Sequence, residues 1–224
     1  MHQRLKAEYG INISVGRVYR LMKSMQLPKM STHRNIRRAK NLNSNKNAEN
    51  MLKRRFNPPA PNMVWVSDIT IIRAAKGHFY LCVIIDLFAR KVIAWGVSST
   101  QSAKFVTDLV LKAWKLRKNP KSVIFHSDRG TQYTSKEFRQ LLDQIGFIQS
   151  FSAPGCPYDN AVAEAFFKFL KKEEINRRRF SQIEEVKQSV FSYIEGYYNK
   201  KRPHEANGGL SPDEKEAEFG TKNK

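Results

Sequence analysis

Two cysteines, Cys82 and Cys156, are all that the chain contains, and they stand far apart. That excludes a disulfide framework and any zinc site built on paired cysteines, and it suits a reducing cytoplasm. Long apolar runs are missing as well. The longest, Phe79 to Ile85, has seven residues, where a bilayer span needs about 20. No secretory pattern opens the chain, because Met1 is followed by a charged amphipathic stretch. Acidic residues are scarce: 20 Asp and Glu stand against 40 Lys and Arg, a formal charge of +20. That excess calls for a polyanionic partner, nucleic acid first and an anionic membrane surface second. With 224 residues and a hydrophobic fraction of 41%, there is material for one substantial core and a small accessory unit.

The positive charge is concentrated at the start. Residues 1–57 carry 14 Lys and Arg against Glu8 and Glu49, a net of +12, whereas residues 58–224 carry a net of +8. Met1 to Tyr9 reads as a helix stopped by Gly10. Ser14 is placed to cap a second helix, along which Val15, Val18, Leu21 or Met22, and Met25 recur at helical spacing. Arg17, Arg20 and Lys23 are interleaved, so residues 1–28 read as a partial helix-turn-helix DNA-binding segment. Phosphate contact or simple packing are the alternatives to base reading. Residues 29–62 form a basic flexible linker without apolar periodicity, disordered when free and laid along phosphates when bound. Arg17, Arg20, Arg54 and Arg55 are its and its neighbour's candidate DNA contacts. Pro58, Pro59 and Pro61 end the linker in an extended form.

Beyond the prolines the pattern changes. Met63 to Ile72, Phe79 to Ile85 and Lys91 to Val97 are β-branched and apolar, and short connections between them predict a three-stranded meander. Ser102 to Leu116 shows one apolar helical face, Val123 to Phe125 and Phe147 to Phe151 read as short strands, and Ser135 caps a helix over Lys136 to Ile145. Ser181 with Glu184 reads as a capping box for a last helix reaching about Tyr198. The order β-β-β-α-β-α-β-α-α predicts an α/β fold, a mixed five-stranded sheet flanked by helices. Its core spans residues 63–178, and residues 179–224 form a C-terminal helix and tail packed on it.

Three acids stand out. Asp68 lies mid-strand between apolar neighbours, where an unpaired charge is costly. Asp128 follows the end of a strand, where open sheets place their ligands. Glu164 lies in the first turns of a helix that opens after a loop containing Pro154, Gly155 and Pro157. In that helix Ala163, Phe166, Phe167 and Leu170 form a core stripe, and Glu164, Lys168 and Lys171 an adjacent polar one. Three converging carboxylates repel each other and lose hydration, which Mg²⁺ or Mn²⁺, hard ions that favour oxygen, would resolve. A pair of such ions suits phosphoryl transfer on DNA without a covalent enzyme intermediate. Taken singly, each acid would pass for a surface or capping residue. Asp86 is expected to pair with Arg90 in its turn, and His126 to pack beside the site without binding metal.

The chain resembles the B-frame transposases of bacterial insertion sequences, which carry an integrase-type DDE core with 35 residues between the second and third acids. The resemblance rests on W-x-x-D-I-T at Trp65 to Thr70, D-L-F-A-R at Asp86 to Arg90, H-S-D-R-G-T-Q-Y at His126 to Tyr133, and P-x-D-N-A-x-x-E-x-F-F at Pro157 to Phe167. Lys171, seven residues after the Glu, and the tail from Tyr197 to Pro212 also match. The resemblance implies an RNase H-like core in which Asp68, Asp128 and Glu164 are catalytic metal ligands for two Mg²⁺ or Mn²⁺ ions. It implies cleavage at transposon 3′ ends and strand transfer to target DNA, by a homo-oligomer on DNA in a bacterial cytoplasm, associated with the nucleoid. An upstream A-frame protein or fusion is a further expected partner. Lys171 and Lys168 are candidate contacts to terminal DNA; Tyr197, Asn199, Arg202 and His204 either touch DNA or staple the last helix to the core. Members usually begin with a fuller helix-turn-helix than this chain shows, and many have Leu where Asn207 stands, a change expected to be tolerated. Retroviral integrases share the core but add a His₂Cys₂ zinc domain that these residues cannot build. A non-catalytic DNA-binding copy that regulates transposition, or a nuclease of the same fold, are the alternatives.

Overall fold

The computed structural model describes residues 2–25, 50–153 and 156–222. Most of the expected linker, through residue 49, and Pro154 and Gly155 lie outside the described residues. Two short helices come first, α1 (His2–Tyr9) and α2 (Val15–Ser24), with the Ser14 side chain accepting the Arg17 N–H at the start of α2. Of the apolar stripe expected on α2 only Val18 is buried; Val15, Leu21 and Met25 are exposed.

Five strands form one sheet in the order β3-β2-β1-β4-β5. β1 (Val64–Ala74), β2 (Gly77–Asp86) and β3 (Lys91–Ser98) pair antiparallel as the expected meander. β4 (Ile124–Ser127) pairs parallel to β1, and β5 (Ile148–Phe151) parallel to β4. Parallel pairing needs crossovers, and helices supply them: α3 (Ala103–Leu116) joins β3 to β4, while a single turn α4 (Thr131–Thr134) and α5 (Lys136–Ile145) join β4 to β5. Ser102 and Ser135 accept N–H groups at the starts of α3 and α5. Gly146, at φ +73°, ends α5 in the left-handed conformation that glycine adopts without strain. The chain continues through α6 (Ala161–Glu173), α7 (Ile183–Phe191) and α8 (Pro212–Lys222).

The twofold alternation of strand side chains divides the interior in two. Trp65, Cys82, Ile84 and Phe125 face α3 and α5, where Val106, Val110, Phe138 and Leu142 meet them. Val64, Val66, Val83 and Ile85 face the other way, against Ala163, Phe166, Phe167 and Leu170 of α6 and Val186 and Val190 of α7. All four apolar positions expected to anchor α6 are buried. No helix among the described residues is long and apolar enough to cross a membrane.

Three local expectations are corrected. The box that opens α7 sits one residue later: the Glu185 carboxylate accepts the N–H groups of Ser181 (2.7 Å) and Gln182 (3.5 Å). The last turns of that helix widen into a π-helix over Ser192–Tyr198. Asp86 does not pair with Arg90. Fully buried at the end of β2, it accepts the Asn62 N–H (2.7 Å), the Phe88 N–H (3.0 Å) and Arg117 Nη2 (3.1 Å) from the end of α3. Arg90 instead donates to the carbonyls of Leu87 and Phe56 and to Asn57 Oδ1. Three donors already surround the Asp86 carboxylate, and the carbonyls around Arg90 need a donor more. Helix α8 has no apolar period to announce it; Lys91 binds its Asp213 and Glu216 at 2.9 Å each, and Arg117 binds Glu216 at 2.7 Å.

Candidate active site

Parallel register brings two of the three acids side by side. Val64 pairs with Ile124 and Val66 with His126, so Asp68 on β1 and Asp128, one residue past the end of β4, come next on the same face. That face is the one α6 covers. Asp68 Oδ1 accepts the N–H of Ile69 at 2.8 Å, and Asp128 Oδ1 that of Gly130 at 3.0 Å. Burial, then the nearby Asp128 charge, and further off that of Glu164, push the Asp68 carboxyl up to about 7, against the pull of the Ile69 N–H and Lys171. Asp128 is exposed, and partial desolvation raises its carboxyl against the pull of the Gly130 N–H. Glu164, exposed at the rim, is raised by desolvation too.

The loop after Asp128 is built to be tight. A Cβ on Gly130 would meet the end of the buried Gln132 side chain, which would have to shift to make room. The Tyr133 N–H returns to the Gly130 carbonyl at 3.0 Å. Before Glu164, the turn Pro157–Asn160 is fixed by two side chains that the sequence reading left without a role. Asp159 is buried and accepts from Asn50 Nδ2 (2.8 Å), Arg54 Nε (2.9 Å) and the Ala153 N–H (3.0 Å). Burial opposes its ionisation, but Arg54 and the Ala153 N–H outweigh that and hold its carboxyl below the usual range. Asn160 donates from Nδ2 to the Ser67 carbonyl at 3.3 Å, which ties the start of α6 to the strand residue before Asp68. Only the Asp159-Asn160 pair within the P-x-D-N run signalled either role.

Lys171 is half-buried. Burial lowers its ammonium group, and the like charge of Arg73 adds to that, while Asp68 opposes both; it therefore stands within electrostatic reach of the acids. Lys168 is exposed one turn earlier. Arg17 and Arg20 are exposed on α2, and Arg55 is exposed. Arg54 spends its Nε on Asp159 with the side chain 57% exposed, leaving the rest of the guanidinium open to solvent. Arg202 is turned inward: it binds Glu173 (3.1 Å) and lies 4.0 Å over the Phe169 ring. Asn199 grips β3, its Oδ1 accepting the Val92 N–H (3.1 Å) and its Nδ2 donating to the Val92 carbonyl (2.9 Å). Asn207 is buried and donates to the Ala89 carbonyl at 2.9 Å, so its position is a contact and not a loose tail. His126 is buried between the Ser150 (2.9 Å) and Ser152 (3.1 Å) hydroxyls, and burial lowers its imidazole to about 4, which keeps it neutral.

Among the described residues no three His, Cys, Asp or Glu side chains close into a ready ligand set. Asp68 and Asp128 form the pair, and Glu164 acts on Asp68 electrostatically from the rim. The donor chemistry nevertheless fits a hard divalent ion. All three groups offer carboxylate oxygen, and the mutual repulsion that raises Asp68 is the charge that such an ion would neutralise.

A mixed sheet in this strand order, with one carboxylate on its central strand and a second just past the end of the adjoining parallel strand, defines the class of the integrase catalytic cores. The integrase core domain family matches residues 58–157, and a second integrase core domain family matches residues 146–212. The transposase of insertion sequence element IS904 from Lactococcus lactis is 38% identical over 203 residues, covering 91% of this chain and 80% of that protein. InsF, the transposase of insertion sequence IS3A from Escherichia coli, is 43% identical over 167 residues, 75% of this chain and 58% of that protein. The chain belongs to the DDE-type transposases of insertion sequences, DNA-recombining enzymes with an integrase-type core. Solved structures bear out the RNase H-like fold at low identity. The HTLV-2 integrase catalytic core in complex with magnesium aligns at a TM-score of 0.52 and 16% identity, over 69% of this chain and 95% of that one. The Mos1 transposase catalytic domain with manganese and raltegravir aligns at 0.53 and 18%, over 61% and 72%.

Proposed function

We propose that this chain cleaves the 3′ ends of its insertion sequence and joins them to target DNA, with Asp68, Asp128 and Glu164 as the metal-holding catalytic acids. The observation that carries the reading is the placement of Asp68 beside Asp128 on one sheet face, under the helix that bears Glu164. These carboxylates would hold Mg²⁺ or Mn²⁺, two ions in the full site, which supply Lewis acidity and charge neutralisation at phosphorus. The protein's part is positioning: strand β1 and the loop that leaves β4 carry two acids, and α6 brings the third with Lys168 and Lys171 behind it to take backbone phosphates. Arg17, Arg20, Arg54 and Arg55 extend the contact along DNA. Arg202, paired within the chain, contributes to DNA binding only by holding the tail. A homo-oligomer brings two ends together, and an A-frame product of the same element supplies end recognition. The site of action is the bacterial cytoplasm, at the nucleoid.

The test is strand transfer in vitro, with labelled oligonucleotides bearing the element's own ends and Mg²⁺ or Mn²⁺. Joined products that are lost in Glu164→Gln support the reading. Cleavage without joining points to a nuclease, and DNA binding with neither reaction to a regulatory copy.

A further inference from the structure

Ser67 stands next to Asp68 at the meeting point of all three acid-bearing segments. Its hydroxyl is buried, 2.9 Å from the Val83 carbonyl and 2.8 Å from the Tyr133 hydroxyl. A carbonyl only accepts, so the single Ser67 proton goes to Val83 and Tyr133 must be the donor in the second bond. Tyr133 is fully buried, edge-on to Phe138, at the end of the loop that begins with Asp128. That loop is closed at each step: Gly130 N–H to Asp128 Oδ1, Tyr133 N–H to the Gly130 carbonyl, and Gln149 Nε2 to the Tyr133 carbonyl at 2.7 Å. On the other side, the Ser67 carbonyl receives Asn160 from the start of the Glu164 helix.

We propose that Tyr133 and Asn160 are positioning residues that act through Ser67, the first setting the spacing of Asp128 from Asp68 and the second that of Glu164. The inference rests on the reading of these acids as metal ligands. The physical case is one of stiffness. β4 ends at Ser127, so no backbone ladder holds Asp128 itself against β1. Two carboxylates that repel each other move apart unless something else fixes the loop, and the rigid Tyr133 ring, hydrogen-bonded to the strand that bears Asp68, is placed to do that. The hydroxyl is too deeply buried to act on substrate.

The test is Mn²⁺ affinity of the full chain, measured by electron paramagnetic resonance with no DNA present. Wild type should bind, and Asp68→Asn should abolish binding; if it does not, the metal reading itself falls, and this inference with it. Given that binding, Tyr133→Phe should weaken Mn²⁺ affinity roughly tenfold, as loss of an outer-shell partner does. Ser67→Ala should match it, and the double variant should be no worse than either alone. Ile145→Val, which loosens the same core away from the Tyr133 ring, should keep wild-type affinity. Asn160→Ala should weaken Mn²⁺ binding only while Glu164 is present, leaving Glu164→Gln unaffected. Wild-type Mn²⁺ affinity in Tyr133→Phe, or an equal loss in Ile145→Val, would overturn the proposal.

Discussion

The Arg54 guanidinium meets the buried Asp159 carboxylate at 2.9 Å, joining the segment ahead of the core to the turn that opens the Glu164 helix. Asp159 is the heavier partner, because it also satisfies the Ala153 N–H and Asn50. Asp159→Ala should destabilise the protein by roughly 1–3 kcal/mol for an orphaned buried donor, whereas Arg54→Ala should cost less, since its own charge is solvated and Asp159 keeps the Asn50 and Ala153 donors. Urea unfolding of both variants checks this. The same Arg54→Ala protein then tests DNA contact cleanly: its affinity should fall without a change in fold.

Asp68 gives stability a pH dependence of unusual sign. Its carboxyl titrates at about 7 in the folded chain against about 3.9 when unfolded. Between those values the folded state keeps a proton that the unfolded state has lost, so metal-free stability falls as pH rises from about 4 to about 7. The effect belongs to the Asp68–Asp128 pair, and is on the order of a few kcal/mol. Asp68→Asn should therefore raise the metal-free melting temperature at pH 8 by several degrees while abolishing strand transfer. Added Mg²⁺ should stabilise wild type at pH 8 and leave the variant unmoved.

His126 works in the opposite direction. Its imidazole is held at about 4 against about 6.5 when unfolded, so stability is lost as pH falls from about 6.5 to about 4. His126→Gln should narrow the difference in melting temperature between pH 7 and pH 5, read by scanning calorimetry on the metal-free chain.

DNA contacts and internal staples separate by salt. Lys168→Ala and Lys171→Ala should each lower the slope of log affinity against log salt by about 1, with folding preserved. Arg202→Ala and Asn199→Ala should instead lower stability, Asn199→Ala by roughly 1–3 kcal/mol because it leaves the buried Val92 groups unpaired, with the salt slope unchanged. Equilibrium binding over a salt series, beside denaturant curves, distinguishes the two sets.

What the sequence made legible was local. Ser14 and Ser135 cap the helices expected of them, β1 to β3 form the expected hairpins, and the apolar stripe of α6 is buried as its spacing required. The three acids were visible because their neighbours made a charge costly or because they ended an element. Contacts that join distant residues left no such trace. Nothing near Asp86 announces Arg117, 31 residues away, and nothing near Ser67 announces Asn160, 93 residues away. Helix α8 is held by ion pairs to β3 and α3, so it shows no apolar period of its own. The stripe on α2 was read from spacing alone, and among the described residues only Val18 is covered.

The central claim is that Asp68, Asp128 and Glu164 make one metal site, and anomalous diffraction from crystals soaked in Mn²⁺ tests it most directly. The account predicts a manganese peak between the Asp68 and Asp128 carboxylates, with Glu164 drawn in from the rim. Manganese bound elsewhere, with those two carboxylates protonated and bare at neutral pH, would contradict it.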